Sequence, residues 1–251
     1  MSLEHILLIL GIGVLCGFIN TLAGSGSLIS LPALMFIGLD PHVANGTNRI
    51  GIFFQNIVSS TNFYRKKLLD IKTGFILALP TILGSVAGAF IVLELPERII
   101  EIIVGIVLFI MLIPMLFNAR RWLYGKDISL QKINYPLRIT IFFLIGVYGG
   151  FIQAGVGIFL LSALVLNAGY DLVKANALKV FINLIFTPFA LAVFIIQGQV
   201  DWIAGFVLAG GNSLGAYIAS SWAVSWGAVF VRYVLIAVIL TAGSYLLFFG
   251  S

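Results

Sequence analysis

The chain has 251 residues, of which 61% are hydrophobic and only 9% are charged, and its formal net charge is +5. A soluble domain carries about 25% charged residues, so this composition excludes a water-exposed globular protein. The 14 Lys and Arg residues gather mainly in two hydrophilic stretches instead of forming a continuous basic face, which argues against a nucleic-acid partner.

Runs of apolar residues between breaks predict ten helical segments in an all-α polytopic membrane protein, because roughly 20 helical residues cross about 30 Å of hydrocarbon. In chain order the segments are 5–22, 23–38, 43–63, 73–93, 98–118, 138–153, 154–169, 174–196, 202–223 and 228–249. The segments that begin at Ala23 and Ala154 are short and open on glycines. Each is therefore predicted to be either a span or a broken, re-entrant helix.

The two halves of the chain match each other at a constant spacing of 131 residues. Matched pairs include Ala23 with Ala154, Gly24 with Gly155, Gly26 with Gly157, Gly38 with Gly169, Asp40 with Asp171, Asn45 with Asn176 and Asp70 with Asp201. Upstream, Gly17-Phe18-Ile19-Asn20 matches Gly150-Phe151-Ile152-Gln153 once two residues are dropped. The match predicts two repeats of about five segments each, at 1–118 and 138–251, joined by a cytoplasmic linker at 119–137.

Charge predicts the orientation of the repeats. The loop from Arg65 to Lys72 and the linker are basic, so both are predicted to be cytoplasmic. The loop at Asp201, the repeat mate of Asp70, has no Lys or Arg and is predicted to be outside, together with both termini. Equivalent loops on opposite faces make the repeat an inverted one, which is the arrangement of many secondary transporters.

Two glycine-led breaks are the first candidate ligand site, with Gly24, Ser25 and Gly26 in one repeat and Gly155 and Gly157 in the other. Glycine allows close backbone approach, and a helix that begins there points N–H groups and a positive dipole end outward. An anion suits such a place. Close helix packing is the alternative that the pattern leaves open.

A polar stripe on the following segment is the second candidate. Its residues recur at helical spacing and are Asn45, Asn48, Arg49, Gln55, Asn56, Ser59 and Asn62, with a thinner version at Asn176, Lys179, Asn183 and Thr187. Polar side chains in a bilayer face other protein or a water-filled path. They either bind a substrate or join helices to one another.

Arg49 and Lys179 occupy almost the same position in the two repeats, so inversion would bring them together from opposite sides. Two converging cations favour an anion, unless both side chains snorkel back to the interface. No carboxylate lies deep in a predicted segment, and His5 and His42 lack metal-ligand spacing with cysteine. No cofactor, metal site or enzymatic activity is predicted.

Four strings resemble the TauE/SafE family of sulfite and organosulfonate exporters, and the resemblance covers essentially the whole chain. They are Gly17 to Asn20, Ala23 to Ser27, Leu31-Pro32 and Asn45-Gly46-Thr47-Asn48-Arg49. The resemblance implies a multi-pass permease of a prokaryotic cell (inner) membrane for a sulfur oxyanion or organic sulfonate, such as sulfite or sulfoacetate. Substrates vary within the family, so membership does not choose among them.

The sequence thus predicts a permease that carries a small anion by alternating access, with its site near the midplane of the bilayer. The predicted substrate-binding residues are Gly24, Ser25, Gly26, Asn45, Asn48, Arg49, Gly155, Gly157, Asn176 and Lys179. An anion channel and a non-transporting membrane scaffold or assembly protein are the alternatives. Whether the protein forms a homodimer is left open.

Overall fold

The computed structural model describes residues 2–94, residue 96 and residues 135–248. Within these ranges every regular element is helical: α1 (Leu3–Leu22), α2 (Ser27–Phe36), α3 (Pro41–Arg65), α4 (Ile71–Val92), α5 (Tyr135–Phe151), α6 (Val156–Ser162), α7 (Leu172–Ile196) and α8 (Trp202–Phe248). The predicted segment 98–118 and most of the predicted linker 119–137 lie outside the described residues.

Helix starts follow local capping chemistry. Asp70 accepts a hydrogen bond from the backbone N–H of Thr73 at 3.1 Å, and its repeat mate Asp201 accepts one from that of Ala204 at 2.9 Å. Pro41 supplies the first residue of α3, where its missing N–H costs nothing. The same carboxylate therefore begins the same helix in both repeats.

The fold is that of a polytopic membrane protein. In the part of the chain that the structure describes, four helical stretches are long and apolar enough to cross a bilayer: Leu3–Leu22, Ile71–Val92, Leu172–Ile196 and Trp202–Ala223. Large apolar side chains such as Leu83 and Ile203 are exposed on the outer surface, at 68% and 65%. Such a surface suits lipid, not water.

The glycine-led segments are half-helices. Helix α2 has 10 residues and rises about 15 Å, which is half the thickness of the hydrocarbon. Helix α6 has 7 residues and continues into a π-helical turn at Ala163–Asn167. Neither is long enough to span the bilayer, so of the two forms predicted for these segments the structure contains the broken one.

The last two predicted segments, 202–223 and 228–249, form one continuous helix, α8. The prediction of a break between them was wrong. Val224-Ser225-Trp226-Gly227 contains no proline and no charged residue, and a single glycine is tolerated inside a helix at a cost of about 1 kcal/mol.

The repeat register predicted from the sequence recurs in the backbone. Six described residues have positive φ, and they form three pairs with a spacing of 131 residues: Gly24 (79°) with Gly155 (77°), Gly38 (97°) with Gly169 (78°), and Lys67 (58°) with Gly198 (68°). Six unrelated positions would not fall into one spacing, so the two halves share a local chain path.

Helix packing follows the same register. Helix α1 packs against α8, and its counterpart α5 packs against α4; α3 packs against α8, and its counterpart α7 packs against α4. Each contact joins one repeat to the other, so neither repeat is a separate bundle. The larger apolar core surrounds α6 and α7 and includes the fully buried Phe142, Leu160 and Phe186. The inversion of the repeats relative to a membrane stays a prediction.

Candidate functional site

The two glycine-led breaks meet at the centre of the protein. The backbone N–H of Gly157 donates to the carbonyl oxygen of Gly24 at 3.2 Å. A Cβ on either glycine would collide with the backbone of the other. Gly24 also has φ 79°, which side chains rarely adopt. Close packing, the alternative that the sequence left open, therefore explains why these two positions are glycines. That their N–H groups face a ligand stays a prediction.

Gly26 and Gly155 hold the two breaks in shape. The N–H of Gly26 donates to the side-chain oxygen of Asn20 at 2.7 Å, which fixes the start of α2 on the end of α1. Gly155, in the left-handed conformation, is the residue immediately before α6. Ser25 lies between the glycines of the first break and is 1% exposed.

Arg49 is fully buried and binds the carboxyl end of a helix in the other repeat. Its two terminal nitrogens donate to four acceptors: Gly149 O at 3.0 Å, Gln153 Oε1 at 2.9 Å, Gly150 O at 2.6 Å and Asn45 Oδ1 at 3.4 Å. Its guanidinium carbon also lies 4.6 Å from the centre of the Phe194 ring. The last carbonyls of α5 carry a partial negative charge that favours a cation there.

Lys179 makes the reciprocal contact. It is fully buried, and its Nζ donates to the carbonyl oxygens of Thr21 at 2.7 Å and Asn20 at 3.0 Å, in the last turn of α1. Each repeat thus places a cation on the end of the first helix of the other repeat. Neither side chain snorkels to the surface, and within the described ranges neither forms an ion pair with Asp or Glu.

The three predicted asparagines differ in their surroundings. Asn45 donates to Phe151 O at 3.1 Å and accepts from Arg49. Asn48 donates to Ser27 Oγ at 3.0 Å and accepts from Ser30 at 2.7 Å. Asn176 is the repeat mate of Asn45 and is equally buried, yet neither atom of its amide has a partner among the described residues.

The sequence did not single out Asn20, Thr21 or Gln153 as part of the site. Asn20 and Gln153 end the matched strings of the two repeats, and that position was the available signal. The Asn20 side chain holds Gly26, and the Gln153 side chain accepts from Arg49 and donates to Asn183 at 3.4 Å. Thr21 had no signal, because its role comes from a backbone carbonyl.

We call the two glycine-led breaks, Arg49, Lys179 and the helix ends that these cations bind the junction. Two hydroxyls at the junction are also unpaired. Thr21 Oγ1 and Ser25 Oγ are buried without a hydrogen-bond partner in the part of the chain that the structure describes. The stem of Lys179 passes beside Gly157, whose Cβ position lies 3.1 Å from Lys179 Cδ. The junction therefore combines two buried cations with the hydrogen-bonded amides of Asn45 and Asn48 and with the unpaired groups of Thr21, Ser25 and Asn176.

Comparison with known proteins places the chain among membrane transporters. The model of the sulfite exporter TauE/SafE family matches residues 9–246. A probable membrane transporter protein, ORF9, of Sinorhizobium sp. is 28% identical over 89% of this chain and 85% of its own length. The probable membrane transporter protein YfcA of Escherichia coli is 29% identical over 90% and 84%, and one of Haemophilus influenzae is 26% identical over 92% and 90%. No solved structure matches.

Since the family model spans nearly the whole chain, the protein belongs to the TauE/SafE sulfite exporter family of membrane transporters.

Proposed function

We propose that this protein is a permease that moves a small anion across the inner membrane of a prokaryotic cell, and that the anion is a sulfur oxyanion or an organosulfonate such as sulfite. The observation that carries the proposal is the pair of fully buried cations, Arg49 and Lys179, where the two repeats meet. A buried cation is costly in a bilayer. Helix ends offset part of that cost, and an anion would offset more.

The proposed substrate site is this junction, and the residues proposed to form it are Gly24, Ser25, Gly26, Asn45, Asn48, Arg49, Gly155, Gly157, Asn176 and Lys179. Contacts between the repeats support alternating access as the mechanism. Arg49 and Lys179 each bridge the two repeats through hydrogen bonds. Movement of one repeat against the other would change those bonds and the access to the site, as in other transporters built from inverted repeats.

The closed packing at the centre favours a permease over a channel. The Gly24 and Gly157 backbones are in contact, so no continuous aqueous path is expected through this point while they stay together. A carrier must break and remake such a contact once per cycle, which gives a slow and saturable flux. The proposal places the N-terminus and the Asp201 loop outside and the Arg65 to Lys72 loop in the cytoplasm. The continuous helix α8 begins at the Asp201 loop and does not turn back, so the C-terminus is no longer proposed to lie on the same side as that loop.

Flux measurements on purified protein in liposomes test this function. We expect entry of sulfite, or of a sulfonate such as sulfoacetate, to saturate with concentration and to accelerate when the same anion is loaded on the opposite side. Unitary currents in planar bilayers would contradict the carrier and indicate a channel. Absence of flux and of ligand-dependent thermal stabilisation for sulfite, sulfate, thiosulfate and sulfoacetate would indicate a scaffold instead.

A further inference from the structure

The two cations of the junction differ in how fully the protein uses them. Both terminal nitrogens of Arg49 have two acceptors each, whereas its Nε–H has no partner among the described residues. Lys179 has three N–H groups and two acceptors within the described residues. One donor of the ammonium is therefore available to a ligand, whereas the terminal donors of Arg49 are not.

Three residues in the segments that contain or contact Lys179 have unpaired polar groups. Asn176, one helical turn before Lys179, leaves its whole amide unpaired, and Thr21, whose carbonyl holds Lys179, leaves its hydroxyl unpaired. Ser25 also has an unpaired hydroxyl, and it follows Gly24, which contacts Gly157 beside the side chain of Lys179. A buried polar group without a partner destabilises the folded protein, and a ligand beside Lys179 would supply partners for all three.

The repeat offers an internal comparison. On the Arg49 side, Val156 stands where the first repeat has Ser25, and the two residues missing from the second repeat are those that match Thr21 and Leu22. Asn45, the mate of Asn176, is saturated. The Thr21 and Ser25 hydroxyls, the Asn176 amide and the third donor of Lys179 thus have no bonded polar counterpart in the other repeat, where the one unpaired donor of the cation itself is Arg49 Nε.

We propose that the anion binds on the Lys179 side alone, held by Lys179, Asn176, Thr21 and Ser25, while Arg49 and Asn45 form a permanent clamp on α5. This inference rests on the proposed anion transport and assigns its ligand contacts. Beside an ammonium group, the free amide and hydroxyls serve as donors to a negative ligand, since a cation would be repelled.

The chemistry of these donors also selects the kind of anion. An ammonium is a compact point charge, whereas a flat carboxylate is best held by the planar fork of an arginine. A point charge with separate hydroxyl and amide donors suits a compact head group with three oxygens around one sulfur atom. Sulfite and sulfonates share this head group, so both are expected to bind and a simple carboxylate such as acetate is expected to bind less well.

Calorimetric titration of the purified protein with sulfite, sulfoacetate and acetate tests the assignment. Lys179→Gln, Asn176→Leu and Thr21→Val should each weaken sulfite binding by about tenfold or more, because each removes a contact to the anion. Ser60→Ala and Asn212→Leu are the matched controls. Their polar groups are also buried and unpaired among the described residues, but they lie on α3 and α8 and belong to neither candidate ligand site. Both controls should keep the affinity of the parent.

The outcomes separate this inference from the proposed function. If the parent binds sulfite and Asn176→Leu and Thr21→Val bind it equally well, the assignment to the Lys179 side is wrong while anion transport stands. If the controls lose as much affinity as the test variants, the unpaired groups act through the fold and the assignment is also overturned. Should Lys179→Gln fail to fold, Asn176→Leu and Thr21→Val still decide. A parent that neither binds nor transports any of these anions would overturn the proposed function itself.

Discussion

Gly157 donates its backbone N–H to the carbonyl oxygen of Gly24 at 3.2 Å, and this bond joins the two half-helix breaks at the point where the repeats meet. The approach is so close that a Cβ on either residue would overlap the backbone of the other. The junction depends on the absence of side chains at these two positions, because backbone cannot move aside as a flexible side chain can.

Gly24→Ala should destabilise the protein more than Gly38→Ala. Both glycines have positive φ, which costs a side-chain-bearing residue about 1 to 2 kcal/mol. Only Gly24 adds a collision, since a Cβ on Gly38 has no neighbour within 4 Å. Thermal unfolding in detergent measures both variants, and the difference between them isolates the contact with Gly157. Equal loss in the two variants would show that backbone strain, not the contact, makes Gly24 necessary.

Arg49→Gln should lower the thermal stability of the protein substantially. The substitution removes charge-assisted hydrogen bonds to the end of α5, each worth about 1.5 to 3 kcal/mol. Arg49→Lys should rescue only part of the loss, because an ammonium cannot hold two carbonyls and two side chains in one plane. Arg65→Gln, on an exposed residue at the end of α3, is the control and should change little. A destabilisation by Arg49→Gln no larger than that of the control would remove Arg49 from the inter-repeat contacts.

Lys66 and Gln197 test the inverted orientation. They follow α3 and α7 at equivalent repeat positions, and both are exposed. In a Cys16→Ala background, a membrane-impermeant maleimide on intact cells should label Gln197→Cys at once and Lys66→Cys only after permeabilisation. Labelling both within one detergent-solubilised sample controls for reactivity. Access to both from the same side would exclude the inversion.

Much of the fold could be predicted because its signals are local. Apolar runs located the spans, the 131-residue spacing matched three pairs of positive-φ residues, and Asp70 and Asp201 began equivalent helices. The continuity of α8 was missed because a single glycine near a serine is the same in sequence whether the helix breaks there or continues. Length and hydropathy cannot separate those two cases.

Sequence spacing indicated several residues that lie close together in the structure but not the hydrogen bonds that join them, and their role in binding a substrate stays a prediction. Spacing alone placed Arg49 and Lys179 at matching positions, and the structure places both at the ends of helices from the other repeat. Their acceptors are mainly backbone carbonyls, which every residue possesses and no sequence pattern reveals. The same limit explains why Asn45 and Asn176 were equivalent in the sequence and differ in the structure.

Asn45→Leu should destabilise the protein and Asn176→Leu should not, although the two residues are repeat mates. Asn45 is bonded to Phe151 O and to Arg49, so its loss leaves a buried carbonyl and a guanidinium N–H without one partner each and should cost about 1 to 3 kcal/mol. Asn176 has no partner among the described residues. Replacing its buried, unpaired amide with an apolar side chain of similar size relieves a desolvation cost, so thermal unfolding without ligand should occur at the same or a higher temperature. Addition of sulfite should then stabilise the Asn45→Leu protein and stabilise the Asn176→Leu protein much less. If Asn176→Leu lowers the unfolding temperature as much as Asn45→Leu does, the Asn176 amide is hydrogen-bonded within the folded protein and is not free to bind an anion.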